Sequence, residues 1–233
     1  MNDQPNLPVE PAPAEPIFQK WMTALTRPNE TTYAAMAAAP EAKASTGYLW
    51  YFIGSLVVTL LGAAVQQPLM RNMLQQAGQN VDLGNPVAYL LCGAPIAAVI
   101  STIFFAIGTA IIQWIASLFG GRGTNNQLVY VFSNILTPYL FVSGVLTLLA
   151  AIPFVGWCFG LVSLAGVLYI LVLEIMAVKG VNRIDWGPAI AAVLIPGLVI
   201  LFACICLFAG LFALLYPAIR QSIPQLQQVI PQY

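Results

Sequence analysis

Histidine is missing from all 233 residues, and only 7% of them are charged. The first absence removes Ser/His/Asp and Cys/His nucleophile arrangements and every histidine-based metal site. The second excludes a water-facing surface, since soluble domains carry about 25% charged residues. The formal charge is zero and no basic tract exists, so the electrostatic footprint of nucleic-acid binding is absent as well. No metal, cofactor or nucleic acid is expected. Carboxylates do not pair either: Asp82, Glu174 and Asp185 fall in different loops or depths, which argues against an intramembrane enzyme. The segment Gly120-Gly121-Arg122-Gly123-Thr124 lacks the Lys-Ser/Thr pair of a phosphate loop and has no strand before it. It reads as a tight turn, with Thr124 or Asn125 capping the next helix and Arg122 placed to meet anionic headgroups. The four cysteines, Cys92, Cys158, Cys204 and Cys206, lie in or beside apolar runs. There a free thiol behaves as a small buried hydrophobe, and no C-x-x-C pair occurs.

What the chain does have is apolar length. It is 60% hydrophobic, with mean hydropathy +0.84, and five apolar runs occupy 48–65, 87–119, 128–151, 155–178 and 188–216. Each is long enough to cross roughly 30 Å of hydrocarbon as a helix. The expected fold is therefore all-α: a polytopic integral membrane protein, a bundle of five transmembrane helices. Four regions follow. Residues 1–16 carry Pro5, Pro8, Pro11, Pro13 and Pro16 with Asp3, Glu10 and Glu15, too few apolar groups to offset ordering entropy, so a disordered Pro-rich tail is expected, on the cytoplasmic side. Residues 17–45 contain Ile17, Phe18, Trp21, Met22 and Leu25 on one helical face, which suits a helix on the membrane surface or one packed on the protein's own cytoplasmic face. A second short helix is expected from Pro28 to Ala39, capped by Thr26 and ended by Pro40. Residues 46–217 form the membrane domain, and 218–233 a Gln-rich external tail in which Ile219, Ile223, Leu226 and Ile230 recur at near-helical spacing. With the first apolar run starting only at Tyr48, no cleavable signal peptide is expected.

Orientation follows from the basic residues in short loops. With the N-terminus inside, Lys20, Arg27, Lys43, Arg122, Lys179 and Arg183 share the cytoplasmic side, against Arg71 and Arg220 outside. The loop 66–85 then faces outward. Tyr48, Trp50, Tyr51, Trp157 and Trp186 mark interfaces. Pro95 inside the long second run implies either a tilted helix or a separate outer turn.

Polar groups inside the runs are few. Glu174 is the only ionisable residue well inside one, roughly 7 Å along the helix from Lys179. It shares a small, polar stripe with Gly156, Gly160, Ser163 and Val167, the kind of surface that lets another helix approach. Ala189, Pro196, Ala203 and Gly210 form a similar seam in the fifth run. Gln113 and Asn134 lie at similar inner depth, and Pro138 frees the Asn134 carbonyl. Gln113, Asn134 and Glu174 are thus candidates for an inner polar cluster with Arg122 or Lys179 as counter-charge. The alternative is that they simply hydrogen-bond helices together.

The stretch Leu25-Thr26-Arg27-Pro28-Asn29-Glu30-Thr31-Thr32-Tyr33 followed by Pro40 resembles the "P-x-E-T-F" start of prokaryotic members of the Yip1 domain family. Gly120-Gly121-Arg122-Gly123-Thr124, with Gln127-Leu128 and then Pro138, is similar to that family's Gly-Gly-basic-Gly turn and following helix. Leu173, Ala177, Lys179 and Ala189 resemble its penultimate helix, basic loop and final helix. The resemblance covers about 24–212. It implies five membrane helices with a cytoplasmic N-terminus and, for eukaryotic relatives, binding of prenylated small GTPases and other family members. This chain lacks the Asp-Leu-Tyr-Gly-Pro motif of those trafficking proteins, which argues against a GTPase partner and for a bacterial or archaeal plasma membrane. The expected partners are the lipid bilayer and other membrane proteins or further copies of the chain. The expected function is a non-enzymatic membrane scaffold, with a transporter or channel component having a polar path near Glu174 as the alternative.

Overall fold

The computed structural model describes residues 16–76, 87, 89–150, 152 and 156–199, together with positions 202, 205, 206, 209 and 210. The Pro-rich leader, Asp82, Ala203, Cys204, the C-terminal tail and the side chain of Trp157 lie outside the described residues, as does most of the fifth run beyond Val199. Two short helices come first, α1 (Ile17–Thr26) and α2 (Glu30–Ala38), followed by α3 (Ala44–Gln76), α4 (Ala94–Leu118), α5 (Asn125–Ala150) and α6 (Gly156–Asn182). A shorter apolar helix, α7 (Trp186–Val199), follows. No strand occurs among the described residues. Helices α3 to α6 are each long and apolar enough to cross a bilayer. Their outer surfaces are greasy: Ile96, Ile100, Ile103, Phe104 and Ile107 on α4, and Leu161, Leu164 and Leu168 on α6, are all exposed. Only a hydrocarbon solvent makes such a surface stable, so the chain is a multi-pass membrane protein.

Helix α5 is the centre of the bundle. Every residue of 128–135 is buried, because that stretch is apolar apart from Ser133 and Asn134 and neighbouring helices cover each face. Its most extensive partner is α3, and the two run in the same direction. A Cβ on Gly47 would meet Val129 and Ser133 at about 3.0 and 3.1 Å, one on Gly54 would meet Thr137 and Leu140, and one on Gly144 would meet Leu61. Missing side chains on both helices let the backbones close in, which replaces the hydrophobic drive that lipid cannot supply. Helix α6 packs on the far side of α5.

Several local features depart from the sequence expectations. The first apolar run, 48–65, is only the middle of α3: the helix continues to Gln76 through Gln66, Arg71 and Gln75, residues that favour helix once outside hydrocarbon. The second run carries a π-helical turn at Tyr89–Gly93 that passes without a break into α4, with Pro95 in the first turn of α4; the outer end is not a separate turn. Asn29 caps α2, accepting from the Thr31 amide at 3.2 Å, and Pro28 stands before the cap. Thr26, expected to be that cap, donates its hydroxyl back to the Met22 carbonyl at 2.6 Å. The thiols of Cys92, Cys158 and Cys206 are free and exposed; their apolar surroundings are the lipid, not the protein core.

Candidate functional site

The bundle end that carries α1 and α2 gathers nearly all of the polar chemistry. Helix α1 is not a free raft on the membrane: Ala24 is fully buried, and the Trp21 ring stands edge-on to Trp50 at 5.3 Å and tilted to Phe141 at 5.7 Å. Two tyrosines close its C-terminus, where helix carbonyls lack partners. The buried Tyr33 hydroxyl donates to the Ala24 carbonyl at 2.8 Å, and the Tyr169 hydroxyl donates to the Leu25 carbonyl. Burial, and then the neighbouring Tyr169, hold the Tyr33 phenol above its ordinary pKa, so it stays a donor. Helix α2 enters so close to α6 that a Cβ at Gly180 would run into the Glu30 carbonyl.

Ion pairs fasten the same hairpin. Lys20 on α1 pairs with Glu41 beyond α2 and also lies 3.5 Å from the Tyr130 hydroxyl of α5. Burial of Lys20 works against its charge, but the bonds to Glu41 and Tyr130 outweigh it and raise its pKa; the same bond from Lys20 lowers that of Glu41. Lys179, near the end of α6, pairs with Glu30 in the first turn of α2 and sits 4.8 Å above the Trp186 ring. The lysine proposed as a counter-charge therefore has its partner on α2.

A second lock joins the α4–α5 turn to the end of α6. The Arg122 amide donates to the Asn182 carbonyl at 3.0 Å. The Gln113 side-chain amide donates to the Gly123 carbonyl and to Asn182 Oδ1, both at 2.8 Å, and Asn182 Nδ2 returns to the Val178 carbonyl at 3.2 Å. Gly121 and Gly123 are small because Asn182 fills the space where their Cβ atoms would stand, at 2.8 and 2.9 Å. Thr124 caps α5 reciprocally: its amide donates to Gln127 Oε1 at 3.0 Å, and the Gln127 amide donates to its hydroxyl at 3.4 Å.

Of the three candidate residues for an inner cluster, Gln113 thus serves the turn. Asn134 is buried on α5 and donates to the Tyr130 carbonyl of its own helix at 2.8 Å. Glu174 is half-buried on α6 and makes no hydrogen bond or ion pair among the described residues. No hydrogen bond links the three. Gln113 Oε1 at the turn, and Asn134 Oδ1 and Thr137 Oγ1 on α5 just before Pro138, are buried without hydrogen-bond partners among the described residues. Sequence reasoning missed Asn182, Glu30 and Tyr169 as fasteners. The one available signal for Asn182 was a polar residue closing an apolar run opposite a Gly-x-Gly turn. No three acidic or cysteine side chains come together among the described residues, and the polar groups present suit fastening helices and meeting headgroups.

A family model described as the Yip1 domain matches residues 22–216, a stretch that begins within α1 and includes the docked hairpin. No curated protein and no solved structure matches the chain.

Proposed function

The chain belongs to the Yip1 domain family, and from that premise we propose that it is a non-enzymatic membrane scaffold that associates with other membrane proteins or with copies of itself. In this reading it sits in a prokaryotic plasma membrane with its N-terminus in the cytoplasm, as the six-to-two distribution of basic residues favours. The observation that carries the reading is the N-terminal half of α6. Gly160 has nothing within 4 Å of where its Cβ would stand, and Leu161, Leu164, Val167 and Leu168 around it are exposed. A small residue set among exposed apolar ones offers a second transmembrane helix a close approach.

The test is affinity purification from native membranes in mild detergent, with mass spectrometry of what co-elutes, on the wild type and on Gly160→Leu. A reproducible membrane-protein partner or self-association that the substitution abolishes, with the folded protein retained, supports the scaffold. A solitary protein in both samples overturns it. One observation favours a second reading, a transporter or channel component: Glu174 carries a carboxyl group in an apolar helix without a partner among the described residues, as residues lining solute paths do. Solute flux into proteoliposomes that Glu174→Gln removes would select that reading.

A further inference from the structure

We propose that the cleft between the α4–α5 turn and the α6–α7 turn binds a phosphate group, presented by an anionic lipid headgroup or free in solution, through Arg122 and Arg183. The cleft encloses about 330 Å³ and is lined by Phe119, Gly120, Arg122, Arg183, Ile184 and Asp185, with Pro188 at its edge. Both arginines are exposed, and neither guanidinium makes an ion pair or hydrogen bond among the described residues. Two planar forks on adjoining turns are the arrangement that recognises phosphate bidentately.

The two arginines are held beside each other by backbone, not by chance of rotamer. The Arg122 amide donates to the carbonyl of Asn182 at 3.0 Å, the peptide that leads directly into Arg183, and Gln113 braces both strands of the junction. Arg183 is the only described non-glycine residue with positive φ, at 54°. Glycine or asparagine would close α6 there at lower cost, so the arginine sits at a position where its backbone works against it by about 1 kcal/mol. Strain kept at a cleft-lining side chain points to a use for that side chain.

The charge balance favours an anion. Among the described residues Asp185 is the only acid lining the cleft, against two arginines. It stands just before α7, with its carbonyl accepting from the Ala189 amide at 3.1 Å, where the helix dipole already favours a carboxylate. The adjoining cleft shares Asp185 and adds one further acid, Glu30, which is paired with Lys179. Depth fits a lipid phosphate in particular. Phe119, which lines the cleft, and Trp186, which follows Asp185, are each 48% exposed at this end of the bundle, and such rings prefer the headgroup layer.

The experiment uses the purified full chain, with thermal unfolding followed in neutral detergent as phosphatidylglycerol, phosphatidylcholine or inorganic phosphate is added. The wild type, Arg122→Gln, Arg183→Gly and, as a control at the same end outside the cleft, Lys43→Gln are compared. Phosphatidylglycerol should stabilise the wild type and Lys43→Gln, whereas each arginine variant should need at least tenfold more of it. Arg183→Gly should otherwise unfold at the wild-type temperature or above, because it relieves the backbone. Stabilisation by phosphatidylglycerol alone identifies a lipid as the source; an equal effect of inorganic phosphate identifies a soluble one. Should Arg183→Gly be unstable, Arg122→Gln decides alone, since that side chain makes no hydrogen bond or ion pair among the described residues. The proposal is overturned if neither anion stabilises the wild type, if both arginine variants respond as it does, or if Lys43→Gln loses as much as they do.

Discussion

The two ends of this bundle are built differently. At the end carrying α1 and α2, five helices converge on the fully buried stretch 128–135 of α5, and side chains from different helices interlock through hydrogen bonds and ion pairs. At the other end, the first half of α6 is exposed on most sides, and a Cβ at Gly160 would meet no atom of the described residues within 4 Å. The difference teaches where a membrane protein specifies its own structure. Apolar contact alone gives little selectivity in lipid, because the tails are as apolar as leucine; polar bonds and close backbone approach supply it, and they are concentrated at one end. The opposite end is left to lipid or to a partner.

The strongest way to break the contrast is to separate the hairpin from the bundle. Gly180→Ala, which in an ordinary helix would stabilise, should here cost about 1–3 kcal/mol by forcing α2 off α6. It should open the Lys20–Trp21 bond, whose lysine is largely covered in the docked hairpin, to trypsin and lower the unfolding temperature. Next in size is the lock at the turn. Gln113→Leu strands Asn182 Oδ1 and the Gly123 carbonyl in a buried setting, an expected loss of about 1–3 kcal/mol measurable by denaturant titration in detergent. Asn134→Leu, by contrast, deletes an orphaned acceptor together with its donor and should cost less than Gln113→Leu. Reversing that order would show that Asn134 has a partner essential to the fold.

A smaller effect, about 1 kcal/mol, is expected for Tyr33→Phe, which removes one hydrogen bond to α1. Hydrogen exchange at Ala24 and Leu25 should quicken while that of α5 stays unchanged. Smaller still is the pH effect of Lys20 and Glu41, since Glu41 is partly open to solvent and surface pairs contribute little. Glu41 has its pKa lowered from 4.5 and Lys20 has its raised from 10.5. The pair's contribution is therefore complete between those values. It is lost as pH falls through the lowered value of Glu41 and, separately, as pH rises through the raised value of Lys20. Protection of α1 should follow that profile, and Glu41→Gln should abolish the acid limb. At the opposite end, Leu164→Ala should change the stability of the isolated protein by less than about 0.5 kcal/mol. A larger loss would show that this surface is already occupied.

Four of the five spans, the Thr124 cap and the tight glycine turn were legible in the sequence, because each depends on residues near one another in the chain. Helix-end chemistry was less so. Asn29 displaced Thr26 as the α2 cap because the hydroxyl of Thr26 was taken by its own helix. Lys179 and Gln113 were recognisable as polar groups near the inner ends, but their partners, Glu30 and Asn182, lie far away in sequence and belong to no local pattern. The glycines of α3 that admit α5 were equally hidden, since small residues are common in membrane helices and only the facing helix gives one of them meaning.

By itself the sequence determined that this chain dissolves in lipid, that it crosses as helices, and which loops carry the positive charge. Those outcomes follow from the cost of unpaired backbone and charge in hydrocarbon, a cost each segment meets alone. Only the tertiary structure decided that the N-terminal hairpin belongs to the core, that Gln113 closes on Asn182, and that Arg122 and Arg183 border one cleft. These depend on which helices become neighbours, and in a solvent as apolar as their own side chains that choice rests on a few long-range polar bonds and glycine contacts.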